Sequence, residues 1–225
     1  MKYKVLFFDL DNTLLDFYKA EKQAVKLVLK QFSLPFDDTA VRTYSAINKS
    51  YWESYEKGEI KKDDIFEGRF HTFLNHYGLT ADVPAIAKQY FKNLAEGYFT
   101  VDGAIEILEY LKKKGYLIYA TTNGVSFTQF NRIEHSGLKP YFDAVFVSEE
   151  VGFQKPKREY FEYVINHIKP CQRSEILVIG DSQSSDILGG INAELDTCWF
   201  NTENTAPQYK STYEIKQLSD LKNIL

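Results

Sequence analysis

The chain has 225 residues, and its 27 lysines and arginines against 31 aspartates and glutamates give a formal net charge of −4. This length predicts one domain, or one domain with an insertion, and the negative charge argues against a nucleic-acid partner. No apolar run approaches membrane-spanning length, and Asp9 interrupts the run after the basic N-terminus, so we expect no signal peptide. Cys171 and Cys198 lack metal-ligand spacing and indicate a reducing cytosol, so we expect a cytoplasmic protein. The sequence implies no membrane partner and no protein partner.

The first predicted element is a strand at residues 3–9, whose apolar side chains lead directly into Asp9 and Asp11. Side chains alternate between the two faces of a strand, so both acids can approach one site as the chain leaves the strand. Two carboxylates at the end of a buried strand cost free energy unless a cation or a proton compensates them. The alternative is a turn at Asp11-Asn12 with capping carboxylates.

Residues 16–100 contain no clear strand and predict an all-helical insertion. Apolar residues recur there at helical spacing, as in Ala20, Ala24, Leu27 and Val28, and then in Val41, Tyr44, Ile47 and Tyr51. We therefore predict a core domain at residues 1–15 and 101–225, with a helical cap domain at residues 16–100. An insertion at this edge of the core would cover whatever site the strand ends form.

Further strands are predicted at residues 116–122, 144–148, 176–180 and 196–200, with helical patterns between them. One of these helices is indicated by the repeat of Phe127, Phe130 and Ile133 before Gly137. Alternating strands and helices predict an α/β fold with a doubly wound parallel sheet and right-handed crossovers. The tail predicts a short edge strand at residues 213–215 and a final helix.

Polar residues follow several of these strands. Residues 116–122 lead into Thr122-Asn123-Gly124, the loop after the next strand carries Lys155-Pro156, and residues 176–180 lead into Asp181, with Asp186 five residues on. Open parallel sheets bind ligands outside the carboxyl ends of their strands. The sequence therefore places these groups at one edge, together with Asp9 and Asp11.

The chain contains four motifs in this order: Asp9-x-Asp11-x-Thr13, Thr122-Asn123-Gly124, Lys155-Pro156 and Gly180-Asp181-x4-Asp186. Together they resemble the motifs of the haloacid dehalogenase-like hydrolases, most of which are Mg²⁺-dependent phosphatases with a Rossmann-like core. The stretches at residues 46–52, 148–152 and 185–192 resemble one branch of this family, the pyrimidine 5′-nucleotidases that act on unusual nucleoside monophosphates.

The resemblance implies an Mg²⁺ site. Asp9 and Asp181 would supply carboxylates, Asp11 would supply its backbone carbonyl, and Asp186 would bind directly or through water. An alternative for Asp186 is a helix N-terminal cap near Ile187.

The resemblance also implies roles in the reaction. Asp9 would be the nucleophile and form an aspartyl-phosphate, and Asp11 would protonate the leaving alkoxide and then deprotonate the attacking water. A halide leaving group needs no proton, so Asp11 argues against dehalogenation. Thr122, Asn123 and Lys155 would bind the phosphate, with Thr121 as the alternative hydroxyl if the strand register shifts by one.

The expected substrate is a small phosphorylated metabolite, and the resemblance implies a nucleoside 5′-monophosphate with a pyrimidine base. Phe17, Asn48 and Trp52 in the cap are the candidates for its recognition, although Trp52 can instead pack in the cap interior. The alternatives are a sugar phosphatase, a phosphomutase or a catalytically silent phosphometabolite-binding module.

Overall fold

Six parallel strands form one sheet in the computed structural model, which describes residues 2–225. Their bounds are β1 Val5–Phe8, β2 Leu117–Thr122, β3 Ala144–Val147, β4 Ile176–Gly180, β5 Asp196–Phe200 and β6 Tyr213–Ile215. The strand order is β3-β2-β1-β4-β5-β6, so β1 lies inside the sheet between β2 and β4. The predicted doubly wound α/β fold is confirmed.

The helices take the following bounds in chain order: α1 Phe17–Gln31, α2 Asp38–Glu56, α3 Lys62–Tyr77, α4 Val83–Ala95, α5 Ala104–Lys113, α6 Ser126–His135, α7 Ser148–Val151, α8 Arg158–Asn166 and α9 Leu188–Asn192. A π-helical turn spans Gln183–Ile187. The predicted final helix is a 3₁₀ segment at Leu218–Asn223. Among the residues that the structure describes, no helix combines the length and apolar character needed to cross a membrane.

The chain divides into two units. One consists of the residues up to Asp16 together with Phe99–Leu225 and contains the sheet; the other is Phe17–Tyr98 and contains α1–α4.

Strand β1 is buried on both faces, which explains its unbroken apolar sequence. Leu6 and Phe8 pack in a cluster that includes Leu108 of α5, whereas Val5 and Phe7 pack in a second cluster that includes Phe161 of α8. Burying each such side chain contributes about 1.5–3 kcal/mol. The alternation fixes the register of β1 and hence the point at which Asp9 emerges.

The helical unit is built around aromatic side chains. Tyr44 packs with its ring centroid 5.0 Å from that of Phe70 and 5.5 Å from that of Tyr90. Asp37 caps α2 by accepting from the Ala40 N–H at 2.8 Å, and Gly78 ends α3 in the left-handed conformation, with φ of 64°.

The two ends of the helical unit attach to a short paired stem of the sheet unit. The Asp16 N–H donates to the Phe99 carbonyl at 2.9 Å, and the Val101 N–H donates to the Leu14 carbonyl at 3.0 Å. Leu15 and Thr100 form an antiparallel bridge between these bonds. The chain therefore leaves and re-enters the sheet unit at adjacent positions.

Candidate active site

Lys155 joins three segments of the sheet unit through its ammonium group. Its Nζ donates to Asp9 Oδ1 at 2.7 Å, to Asp186 Oδ1 at 2.6 Å and to the Thr121 carbonyl at 2.8 Å. The residue is 1% exposed, so these bonds replace those that water would make. The ammonium thereby brings the ends of β1 and β2 together with the turn after β4.

Asn123 fixes the backbone of Lys155. Its Nδ2 donates to the Lys155 carbonyl at 2.9 Å, and its Oδ1 accepts from the Lys155 N–H at 2.9 Å. The side-chain amide is thus committed to the lysine loop. Direct contact of this side chain with phosphate stays a prediction; the arrangement observed here makes it a support for Lys155.

Three carboxylates converge beside the ammonium. Asp9, Asp181 and Asp186 can each offer an oxygen within 4.8 Å of the others. Burial raises the pKa of Asp9, with Asp186 and Asp11 adding to the rise and Lys155 opposing it. Burial, and then the charges of Asp9 and Asp186, also raise the pKa of Asp181 well above its usual range.

This donor set fits Mg²⁺. One ammonium offsets one of the three carboxylate charges, and a divalent cation would offset the other two. Carboxylate oxygens are the hard ligands that Mg²⁺ prefers. Asp9, Asp181 and Asp186 are the residues that would hold it, and a ligand from the backbone carbonyl of Asp11 stays a prediction.

Asp181 is held from two sides. Its carboxylate oxygen Oδ1 accepts from Thr13 Oγ1 at 3.4 Å, and its N–H donates to that same hydroxyl oxygen at 3.1 Å. Trp199 Nε1 on β5 donates to the Asp181 carbonyl at 2.8 Å. This role of Trp199 was not predictable from the sequence, because nothing local links the indole to a carbonyl 18 residues earlier.

Both carboxylate oxygens of Asp186 are hydrogen-bonded, Oδ1 to Lys155 and Oδ2 to the Ser182 N–H at 3.1 Å. The N-cap of this turn is Ser182, whose hydroxyl accepts from the Ser185 N–H at 3.1 Å, and α9 begins without a side-chain cap, so Asp186 does not cap a helix near Ile187. A Cβ on Gly180 would lie 2.2 Å from Asp186 Cγ. Glycine at this strand end is therefore what allows the carboxylate to fold back.

Asp11 is bound by two residues of α6. Arg132 Nη1 pairs with Asp11 Oδ1, and Gln129 Nε2 donates to Asp11 Oδ2 at 2.8 Å. Arg132 is fully buried and Gln129 is 1% exposed. Neither residue was predicted from the sequence, although two polar residues three apart lie on the helix that follows Thr122-Asn123-Gly124.

The two threonines at the end of β2 have different partners. The Thr121 hydroxyl donates to the Phe8 carbonyl at 3.3 Å, inside the sheet. The Thr122 hydroxyl oxygen accepts from the Gly124 N–H at 3.0 Å and from Gln129 Nε2 at 2.8 Å. Since Thr121 is committed to its neighbouring strand, Thr122 is the better candidate for a phosphate contact.

Asn48 belongs to a buried polar network of the helical unit. Its Nδ2 donates to Glu21 Oε1 at 2.6 Å, and its Oδ1 accepts from Arg69 Nη1 at 2.7 Å. Burial raises the pKa of Glu21, whereas its bonds to Ser45 and Asn48 act in the opposite direction. Asn48 thus bridges a carboxylate and a guanidinium within this unit.

The other two candidates for substrate recognition are half-buried in the helical unit. Phe17 opens α1. Trp52 packs against Tyr55 in a T-shaped arrangement, with ring centroids 5.8 Å apart, and the Lys62 Nζ lies 6.0 Å from the Trp52 ring centroid.

Comparison with known proteins adds independent information. The family model for haloacid dehalogenase-like hydrolases matches residues 3–194. The HAD-hydrolase YfnB of Bacillus subtilis is 40% identical over 226 residues, which cover all of this chain and 96% of YfnB. The crystal structure of YfnB bound to magnesium has a TM-score of 0.94 and covers 100% of this chain and 99% of that one.

Two further relatives are pyrimidine 5′-nucleotidases. PynA of Streptococcus pneumoniae is 38% identical and covers 100% of this chain and 98% of its own length. YjjG of Escherichia coli is 34% identical and covers 97% of this chain and 98% of its own length. The similarity to both therefore extends over the sheet unit and the helical unit alike.

Proposed function

Since the chain belongs to the haloacid dehalogenase-like hydrolases, we propose that it hydrolyses phosphate monoesters with Mg²⁺, and that pyrimidine nucleoside 5′-monophosphates are its preferred substrates. The single observation that carries the proposal is the contact of Lys155 with Asp9 and Asp186 beside Asp181. Such a group can hold a cation and an anionic phosphate next to a carboxylate nucleophile.

In the proposed reaction, Asp9 attacks phosphorus and the ester P–O bond breaks, which leaves an aspartyl-phosphate. Asp11 gives its proton to the departing alkoxide oxygen. Water then attacks the phosphorus, Asp11 takes the proton of that water, and inorganic phosphate leaves with Asp9 regenerated. Bound Mg²⁺ would supply positive charge between Asp9 and the phosphate, which otherwise repel each other.

Lys155 and Thr122 are the proposed phosphate contacts. The Lys155 ammonium already lies 2.7 Å from Asp9, so an incoming phosphate at that carboxylate would meet a fixed positive charge. Asn123 supports this charge through the lysine backbone, and its phosphate contact stays part of the proposal.

The nucleotide preference is supported by PynA and YjjG and by the resemblance at residues 46–52. The motif residues of the sheet unit bind and transfer phosphate, so we assign recognition of the base to the helical unit. Phe17, Asn48 and Trp52 remain the candidates.

A screen of phosphorylated metabolites tests the function directly. Wild-type protein is assayed for kcat/KM on pyrimidine and purine monophosphates, sugar phosphates and p-nitrophenyl phosphate, with Mg²⁺ and with EDTA. We expect turnover that EDTA abolishes and a preference for pyrimidine monophosphates. A preference for sugar phosphates or purines refutes the nucleotidase assignment, and turnover of none of these esters refutes the phosphatase.

A further inference from the structure

We propose that Gln129 and Arg132 are positioning residues, which hold the Asp11 carboxylate and the Thr122 hydroxyl in one fixed arrangement. The proposal rests on the proposed function, in which Asp11 transfers protons and Thr122 contacts the phosphate. It goes further by assigning α6 the task of aligning these two groups with each other.

Both N–H hydrogens of the Gln129 amide and one lone pair of its oxygen are used within this cluster. Its Nε2 donates one hydrogen to Asp11 Oδ2 and the other to Thr122 Oγ1, each at 2.8 Å, and its Oε1 accepts from Arg132 Nη1 at 3.2 Å. The opposite orientation of the amide would set its oxygen against the carboxylate and its nitrogen against the guanidinium. The neighbours therefore determine the amide orientation.

Arg132 supplies the charge that makes this cluster stable. Its Nη1 contacts both Asp11 Oδ1 and Gln129 Oε1, and its side chain is fully buried. A buried guanidinium needs a carboxylate partner, because an unpaired buried charge is strongly destabilising. Each Asp11 oxygen accepts one bond from α6, and these two bonds fix the orientation of the carboxylate.

The same amide decides what the Thr122 hydroxyl can do. The hydroxyl oxygen has two lone pairs, and these accept from the Gly124 N–H and from Gln129 Nε2. With both lone pairs occupied, the hydroxyl group can make a further hydrogen bond only as a donor. Phosphate oxygens are acceptors, so Gln129 prepares Thr122 as a donor to them.

Gly124 gives this contact the space it needs. A Cβ at Gly124 would lie 2.5 Å from Gln129 Nε2 and 2.6 Å from its Cδ. Any larger residue would push the amide away from Asp11 and Thr122. Glycine at position 124 is therefore needed for the Gln129 amide to reach Asp11 and Thr122.

A purely structural ion pair would have different consequences. If Arg132 and Gln129 only attached α6 to the sheet, their loss would lower activity on every substrate in proportion to the folded fraction. If the two residues position Asp11, their loss instead slows the step that needs a proton, because the Asp11 carboxylate is no longer held in place.

The kinetic experiment compares Gln129→Met, Arg132→Met and Arg132→Lys on a nucleoside monophosphate and on p-nitrophenyl phosphate, whose aryl oxide leaves with less need of a proton. We expect Gln129→Met to reduce kcat on the nucleotide roughly tenfold to a hundredfold, with a smaller loss on the aryl ester. Arg132→Lys should recover part of the loss caused by Arg132→Met. In an Asp11→Asn background, Gln129→Met should add no further discrimination between the two substrates.

Arg173→Met is the matched control. Arg173 pairs with Glu162 at 2.6 Å elsewhere in the sheet unit, so its loss removes an ion pair without touching Asp11. It should leave the ratio of the two kcat values unchanged. If Gln129→Met also leaves that ratio unchanged, the positioning role is refuted.

A measurement without turnover separates this inference from the proposed function. Binding of inorganic phosphate is titrated calorimetrically for wild type and Gln129→Met, and crystal structures of both are compared. We expect weaker phosphate binding and a rotated Asp11 carboxylate in the variant. If wild type hydrolyses no ester, the proposed function fails, while an unmoved Asp11 and unchanged phosphate affinity in Gln129→Met overturn the positioning role whatever the activity.

Discussion

The side chain of Asn123 and the backbone of Lys155 form two mutual hydrogen bonds, each 2.9 Å long. The amide holds the N–H and the carbonyl of one residue at once, which fixes the lysine loop to the end of β2. The position of the Lys155 ammonium therefore depends on a neutral residue that carries no charge to the site.

Asn123→Ala should lower stability and turnover together. It leaves the buried N–H and carbonyl of Lys155 unpaired, which we expect to cost about 1–3 kcal/mol in the free energy of unfolding. Urea denaturation and kcat on p-nitrophenyl phosphate measure the two effects. The control is Asn192→Ala, which removes an exposed bond to the Pro156 carbonyl beside the same lysine; an equal loss in both variants would contradict the special role of Asn123.

Asp9→Asn should remove turnover and keep the fold. An amide cannot form the aspartyl-phosphate, so kcat should fall roughly a thousandfold or more. The melting temperature should hold or rise, because the change removes one of three crowded carboxylates. Trapping with a phosphate-mimicking fluoride should label wild type at this residue, and substantial activity of the purified variant would rule out the nucleophile.

Asp181→Ala should weaken Mg²⁺ binding more than Asp186→Ala. Both oxygens of Asp186 are already bonded to Lys155 and to the Ser182 N–H, whereas Asp181 carries one hydroxyl contact at 3.4 Å on its carboxylate. Isothermal titration of each variant with Mg²⁺ gives the ranking, and the reverse order would overturn the assignment. Ca²⁺ should substitute poorly, since it relaxes the octahedral geometry.

Asn48→Ala and Trp52→Ala should change turnover of nucleotides more than that of p-nitrophenyl phosphate. Because Asn48 bridges Glu21 and Arg69, its loss should also lower the melting temperature by several degrees. Ser45→Ala is the matched control, since it removes another bond to Glu21, at 2.7 Å. If Asn48→Ala and Ser45→Ala both destabilise the protein and neither alters the ratio of nucleotide to p-nitrophenyl phosphate turnover, Asn48 only stabilises the interior of the helical unit.

Alkaline pH should destabilise the protein through Cys198. Burial raises the pKa of this thiol to about 12 from an ordinary value of 9.0, so the folded state keeps a proton that the unfolded state releases. Its contribution is fully present below about pH 9 and is lost as the pH rises towards 12, at about 1 kcal/mol between pH 8 and 10. Urea denaturation at both pH values, compared with Cys198→Ala, isolates the effect; an identical pH dependence in the variant would show that the thiol does not contribute.

The strands were predictable because a parallel sheet covered on both faces needs continuous apolar runs. Ile176–Gly180, Asp196–Phe200 and Tyr213–Ile215 have the predicted bounds. The carboxyl ends of parallel strands share one edge of the sheet. The convergence of Asp9 after β1, Asp181 after β4 and Lys155 in the loop that follows β3 was therefore also predictable from the sequence.

The buried side of helix α6 is not the side that its apolar repeat indicates. The apolar repeat that predicts the helix includes Phe127 and Phe130, yet these side chains are 58% and 41% exposed. The buried side of the helix carries Gln129 and Arg132 instead. Hydrophobic periodicity cannot reveal polar residues whose burial is stabilised by partners far away in the chain.

The paired stem at Leu14–Asp16 and Phe99–Val101 makes the helical unit an exchangeable module. The backbone bonds of the stem close before the insertion begins, so the sheet register does not depend on what lies between Asp16 and Phe99. Chain-closure entropy grows slowly, by about 0.6 kcal/mol for each doubling of length. Evolution can therefore replace or resize the insertion, and with it the substrate recognition that we propose for the helical unit, without moving the strand ends that hold Asp9 and Asp181.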